Sequence, residues 1–184
     1  LMPPTVDGRA ADLAWRALQV CLAQGMDEAV VARADDYLRR HDDERGPDAA
    51  RLRAEALYRG SRHLEASSAF ADALDRAAAA GDDSLVTALG EWVPHSFELH
   101  VEAVEADTTG GAGEPAPLWI ELADRWPHAD RTPRALYRGG LAYRRAGHDS
   151  LAIETLARLV EHHPRSEFGA DAYRDLAAIH ESAG

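Results

Sequence analysis

The chain has 184 residues, is 46% apolar and carries a formal charge of −12 at neutral pH. That apolar share excludes a disordered tail, and the length suffices for one domain or a short repeat array with a buried core. The acidic balance argues against nucleic acid, whose phosphates are bound by basic faces that displace counterions.

Residues 1–9 are read as a disordered N-terminal arm. From residue 10 onward apolar residues recur at helical spacing almost throughout, while valine and isoleucine are few, so no strand is predicted. Breakers at Gly25, Arg45-Gly46-Pro47, Gly60, Gly81, Pro127, Gly147 and Pro164 divide the chain. The predicted helices lie near 10–24, 27–42, 48–59, 63–80, 83–105 (with Pro94 as a candidate break), 117–126, 132–146, 149–162 and 167–183. Short turns between them point to antiparallel neighbours. No apolar run approaches the roughly 18 residues of a membrane span, so direct membrane insertion is not expected. No signal peptide is visible either. The chain begins at Leu1, which reads as a piece of a longer protein and leaves cytoplasm and periplasm both open.

All 20 basic residues are arginine, and lysine and asparagine are absent. Codon usage in a GC-rich bacterial genome accounts for this. The chemical consequence is that no Schiff base and no phosphate-loop lysine is available. The single cysteine, Cys21, cannot form an internal disulfide; among Leu18, Val20 and Leu22 it is expected to be a small core residue.

A shift of 37 residues places Leu122 on Leu159, Pro127 on Pro164, Ala135 on Ala172, Leu136 on Tyr173 and Gly147 on Gly184. The same shift in the N-terminal part places Trp15 on Leu52, Ala17 on Ala54, Val20 on Leu57, Ala29 on Ala66 and Tyr37 on Leu74, a weaker match. The two registers are offset at 107–117, DTTGGAGEPAP, which is read as a flexible insertion in the connecting turn of the middle unit.

Within 136–164 the residues Leu136, Gly140, Tyr143, Gly147, Ala152, Leu156, Leu159 and Pro164 resemble the tetratricopeptide repeat (TPR), a helix-turn-helix unit that stacks into a superhelix. Residues 55–74 resemble it too, with Ala66, Phe70, Ala73 and Leu74 on the second helix. Gly140 is expected where two helices cross closely. Gly139 stands where the family carries leucine and departs from the pattern. The spacing, with the HHPRSEFGADAY stretch that follows, is most similar to the variant in bacterial cell-envelope proteins, such as the Tol-Pal coiled-coil partner and outer-membrane assembly lipoproteins. The resemblance implies an all-α solenoid of about four helix pairs plus one terminal helix. Its repeat domain spans 10–184, in units of about 10–45, 47–81, 83–127 with the insertion, and 132–164, followed by the helix at 167–183. That last helix carries an apolar stripe (Ala172, Tyr173, Leu176, Ile179) and is read as either a cap or the first half of a fifth unit.

No catalytic constellation emerges, so the chain is not expected to be an enzyme, and no cofactor or metal is expected. His95 and His100 stand five apart, about 140° off a shared helix face, and are expected at a boundary and surface. His162 and His163 precede Pro164, where basic groups favour a helix C-terminus. His180 takes the place of Tyr143 and is expected to be packed. Gly110, Gly111 and Gly113 follow no strand and make no phosphate cradle. Glu102 and Glu105 are expected on a solvated helix face, without the burial that acid–base work needs.

The resemblance implies a concave groove lined by first helices that takes a protein or peptide. On 132–146 the face away from Leu136 presents Arg134, Tyr137, Leu141, Arg144 and Arg145, an aromatic among arginines of the kind enriched in binding hot spots. Arg174 on the next helix extends this set, and Asp48, Arg51, Glu55 and Arg59 mark the earlier one. Family members that grip a C-terminal carboxylate use lysine and asparagine. This chain has neither, with Tyr137 and Leu141 at two of those positions, so that ligand is not expected. The alternative function is a structural array that self-associates.

Overall fold

The computed structural model describes residues 6–41, 43–107 and 114–183. Among these the chain is all-α: ten helices run α1 (Val6–Ala23), α2 (Asp27–Arg40), α3 (Gly46–Arg59), α4 (His63–Ala80), α5 (Asp83–Leu89), α6 (Trp92–Ala106), α7 (Pro115–Arg125), α8 (Thr132–Arg145), α9 (Asp149–His162) and α10 (Gly169–Ala183). The chain divides into two compact units, Leu1–Phe97 and Glu98–Gly184, and the boundary falls inside α6. The sequence alone suggested a single repeat domain. Within each unit successive helices pack against their chain neighbours, a solenoid-like arrangement.

Three helix boundaries differ from expectation. Helix α1 begins at Val6, so residues 6–9 are helical rather than part of an arm. The long 83–105 helix breaks at Gly90-Glu91, not at Pro94. Pro94 sits in the first turn of α6, where its missing N–H is not needed. Pro115, Ala116 and Pro117, expected within the insertion, already belong to α7; residues 108–113 of that insertion lie outside the described residues.

Four helices end in the same hydrogen-bonded closure. At α1 Gly25 N–H donates to Leu22 and Met26 N–H to Cys21; at α4 Gly81 donates to Ala78 and Asp82 to Ala77. At α8 Gly147 donates to Arg144 and His148 to Tyr143, with Gly147 at φ 78°. At α3 the corresponding residue is Ser61, at φ 58°, and not the expected Gly60, whose φ is −76°. Ser61 N–H donates to Tyr58 and Arg62 N–H to Leu57. A serine therefore occupies the left-handed position that glycine takes in the other three turns.

In the first unit the core is built from Leu18 of α1, Val30, Ala34 and Tyr37 of α2, Leu57 of α3 and Phe70 of α4, with fully buried alanines (Ala49, Ala54, Ala66, Ala73) where the helices face each other. Small side chains there shorten the interaxial distance and let the larger ones interlock. Cys21 is only half-buried, rather than part of the core as expected. In the second unit Val101, Trp119, Leu122, Leu136, Leu156, Leu159, Ala172 and Ile179 form the core.

Candidate functional site

Helix α8 is the centre of the second unit, and its two adjacent glycines explain how it fits. A Cβ on Gly140 would lie 2.7 Å from Leu156 Cγ of α9, which confirms the close crossing expected there. A Cβ on Gly139 would lie 2.8 Å from Ile120 Cδ1 and 3.2 Å from Trp119 Cβ of α7. One residue is about 100° around a helix, so the pair serves two neighbours: Gly139 admits α7 and Gly140 admits α9. Thr132 fixes the start of α8, its Oγ1 donating to the Trp126 carbonyl at 2.5 Å.

With those faces closed, α8 turns its remaining face toward α6 and α10. Arg134 donates to Glu98 Oε1 at 2.8 Å and to Glu102 Oε1 at 2.5 Å. Tyr137 donates to Asp175 Oδ2 at 3.1 Å and stacks on Phe168 at 5.4 Å between ring centroids. Arg144 reaches the other oxygen of Asp175 at 3.2 Å. Arg145 donates to Glu105 Oε1. Leu141, Arg144 and Arg145 line one open depression of about 630 Å3, together with Arg138 and Glu105. Of the six residues chosen from sequence, these three come together there. Arg134 and Tyr137 lie on the flanking seams, and Arg174 pairs with Asp171 on its own helix.

Glu105 is the residue that sequence reasoning misjudged. Its side chain is 11% exposed and accepts from Arg138 at 2.7 Å, from Arg145 and from Trp119 Nε1 at 3.1 Å. Burial opposes its ionisation, but the hydrogen bonds from Arg138 and Arg145 and their charges win, holding the carboxyl below its ordinary value. Glu98, 5% exposed, is held by Arg131 at 2.9 Å and Arg134. The expectation of a solvated acidic face therefore fails for Glu105, while Glu102 is half-buried beside Arg134. A signal was present: Glu98, Glu102 and Glu105 share one helix face, as do Arg131, Arg134 and Arg138. Burial and the charge of Asp175 raise the Tyr137 pKa.

The first unit carries a pocket of different character. Glu55, Tyr58, Arg59, Phe70, Leu89 and Trp92 line about 270 Å3. Trp92 meets Tyr58 edge-on at 5.3 Å and stacks on Phe70 at 5.6 Å. His95, in the first turn of α6 and so at the boundary expected, shares a 3.1 Å hydrogen bond with the Tyr58 hydroxyl. His180 is exposed rather than packed. Of the expected stripe on α10, Ala172 and Ile179 are buried whereas Tyr173 is 57% exposed. Among the described residues no group of three or more His, Cys, Asp or Glu side chains is placed to hold a metal ion, and no helix is long and apolar enough to cross a membrane.

The α8 depression thus offers guanidinium groups around an apolar floor. Arg138 and Arg145 share one carboxylate, which leaves the depression with more cationic than anionic groups. Such a surface suits a carboxylate-bearing segment that also has an apolar side chain for Leu141. Compared with known protein families and with curated proteins, the chain matches none of them.

Proposed function

We propose that this chain is a non-catalytic protein-interaction module, an adaptor of tetratricopeptide type, in which the α8 face binds an acidic segment of a partner protein. The observation that carries this is the depression of about 630 Å3 where Leu141 and three guanidiniums, Arg138, Arg144 and Arg145, meet two carboxylates, Glu105 and Asp175. On a chain of net charge −12, a locally cationic groove with an apolar floor is selective for a partner that brings its own acids. Three features support the tetratricopeptide assignment: the helix order, the Gly140–Leu156 crossing and the shared turn closures.

The test is fluorescence anisotropy with labelled acidic peptides, including segments mapped from proteins captured by the wild-type chain. Binding should weaken with salt, because the pairs it uses are partly exposed. It should be lost in a Leu141→Asp/Arg145→Glu double variant that keeps its helical circular dichroism. Equal binding by that folded variant would sink the α8 assignment.

A second reading, a self-associating structural array, draws on apolar groups left uncovered. Leu13 and Val20 of α1 are 68% and 54% exposed, and Tyr173 of α10 is 57% exposed. Sedimentation velocity across a wide concentration range separates the two. Association that survives dilution and is abolished by Leu13→Glu or Tyr173→Glu would favour the array.

A further inference from the structure

The turn between α7 and α8, together with the end of α9, forms another depression in the second unit, of about 390 Å3. It is lined by Pro127, His128, Thr132, Arg158, His162 and His163 and shares no residue with the α8 depression. The sequence explained His162 and His163 as partners of a helix C-terminus. That accounts for neither His128, which comes from a different turn, nor Arg158. The charged groups acting on His163 come from two elements: His162 and Arg158 on its own helix, and His128 on the α7–α8 turn. All are basic. One carboxylate reaches this group: Asp124 of α7 pairs with Arg158. Burial, then these neighbours, hold the His163 pKa below its ordinary value.

We propose that this depression binds a phosphate-type oxyanion, held by Arg158 and the imidazoles of His128, His162 and His163, and binds it more tightly as the imidazoles gain protons. A guanidinium offers a planar fork of donors that matches such an anion, and an imidazole, once protonated, donates from both ring nitrogens and adds a charge. The N-terminus of α8, which starts at the lining residue Thr132, contributes in the same direction. The C-terminus of α9 opposes it. The four basic side chains, at one place on an acidic chain, decide the balance. An anion seated there raises the His163 pKa, and by linkage protonation tightens anion binding by the same factor.

The test is histidine-detected NMR on the whole chain, titrated with inorganic phosphate at constant ionic strength near pH 6 and near pH 8, with chloride as the reference anion. His128, His162 and His163 should respond saturably, while His63 and His95 of the other unit should not. Affinity, referred to the phosphate dianion, should be tighter at the lower pH, because anion binding and imidazole protonation favour each other. Arg158→Gln should weaken it about tenfold, the scale of one charge-assisted hydrogen bond. Because Arg158→Gln also releases Asp124, His128→Gln on the exposed turn provides an independent variant, with the same direction expected. Phosphoserine titrated in parallel separates sources: tighter binding than phosphate assigns a side-chain phosphoryl group, weaker binding assigns the free anion. No saturable response at either pH, or a response unchanged in both variants, would overturn the site.

Discussion

The two halves of α6 are put to opposite uses. Its first half, in the first unit, lays Trp92 between Tyr58 and Phe70, with Trp92 still 41% exposed. Its second half, in the second unit, presents Glu98, Glu102 and Glu105 to a row of arginines on α8. Aromatic packing draws mainly on buried area and on edge-on or offset contact, without any net charge to compensate. A buried carboxylate is different: once desolvated it depends on its partners, and removing one member leaves the others uncompensated. The first unit's pocket is thus held by shape, and the second unit's groove by charge.

The change with the largest expected effect is Glu105→Ala. It strands Arg138, Arg145 and the Trp119 N–H together, and should cost about 2–4 kcal/mol in urea unfolding, given a site that is mostly buried. Trp92→Ala in the aromatic pocket should cost less, about 1–2 kcal/mol, because the indole is partly exposed already. If the order of these two losses is reversed, the contrast between charge and shape does not hold.

Acid should sharpen the same contrast. The folded-state pKa of Glu105 lies below its unfolded value. Its stabilisation is therefore complete above the ordinary carboxylate pKa of about 4.3 and is lost as pH falls through the folded value. Glu105→Gln should flatten that acid limb. At the alkaline end the sign is opposite. In the first unit burial, then the hydrogen bond and charge of Asp43, push the Tyr37 hydroxyl up to about 12 from its ordinary 10.0. Its contribution is complete below 10 and fades as pH rises toward 12. Tyr37→Phe should remove that alkaline limb; thermal melts across pH read both.

Smaller effects test the helix geometry. Gly140→Ala meets Leu156 at its branch carbon and should destabilise by about 1–2 kcal/mol. Gly139→Ala meets mainly the flexible end of Ile120. There the gain of about 1 kcal/mol in helix propensity should nearly offset the strain. Equal losses at the two positions would contradict the assignment of one glycine to each neighbour. Least of all, Ser61→Gly should raise stability, by less than about 1 kcal/mol, by relieving a left-handed serine.

By itself the sequence determined the all-α class, most of the helix boundaries and a close helix crossing at Gly140. These depend on local spacing, on breakers and on the absence of a side chain, all of which the chain order carries. It also selected Leu141, Arg144 and Arg145 as one face. Only the tertiary structure decided what those arginines do. Glu105 lies 33 residues before Arg138, and periodicity shows which residues share a face but not which face meets it. For the same reason Gly139 had no sequence account until α7 was placed beside it. His128 was joined to His162 and His163 only by folding, because it lies on a turn outside their helix.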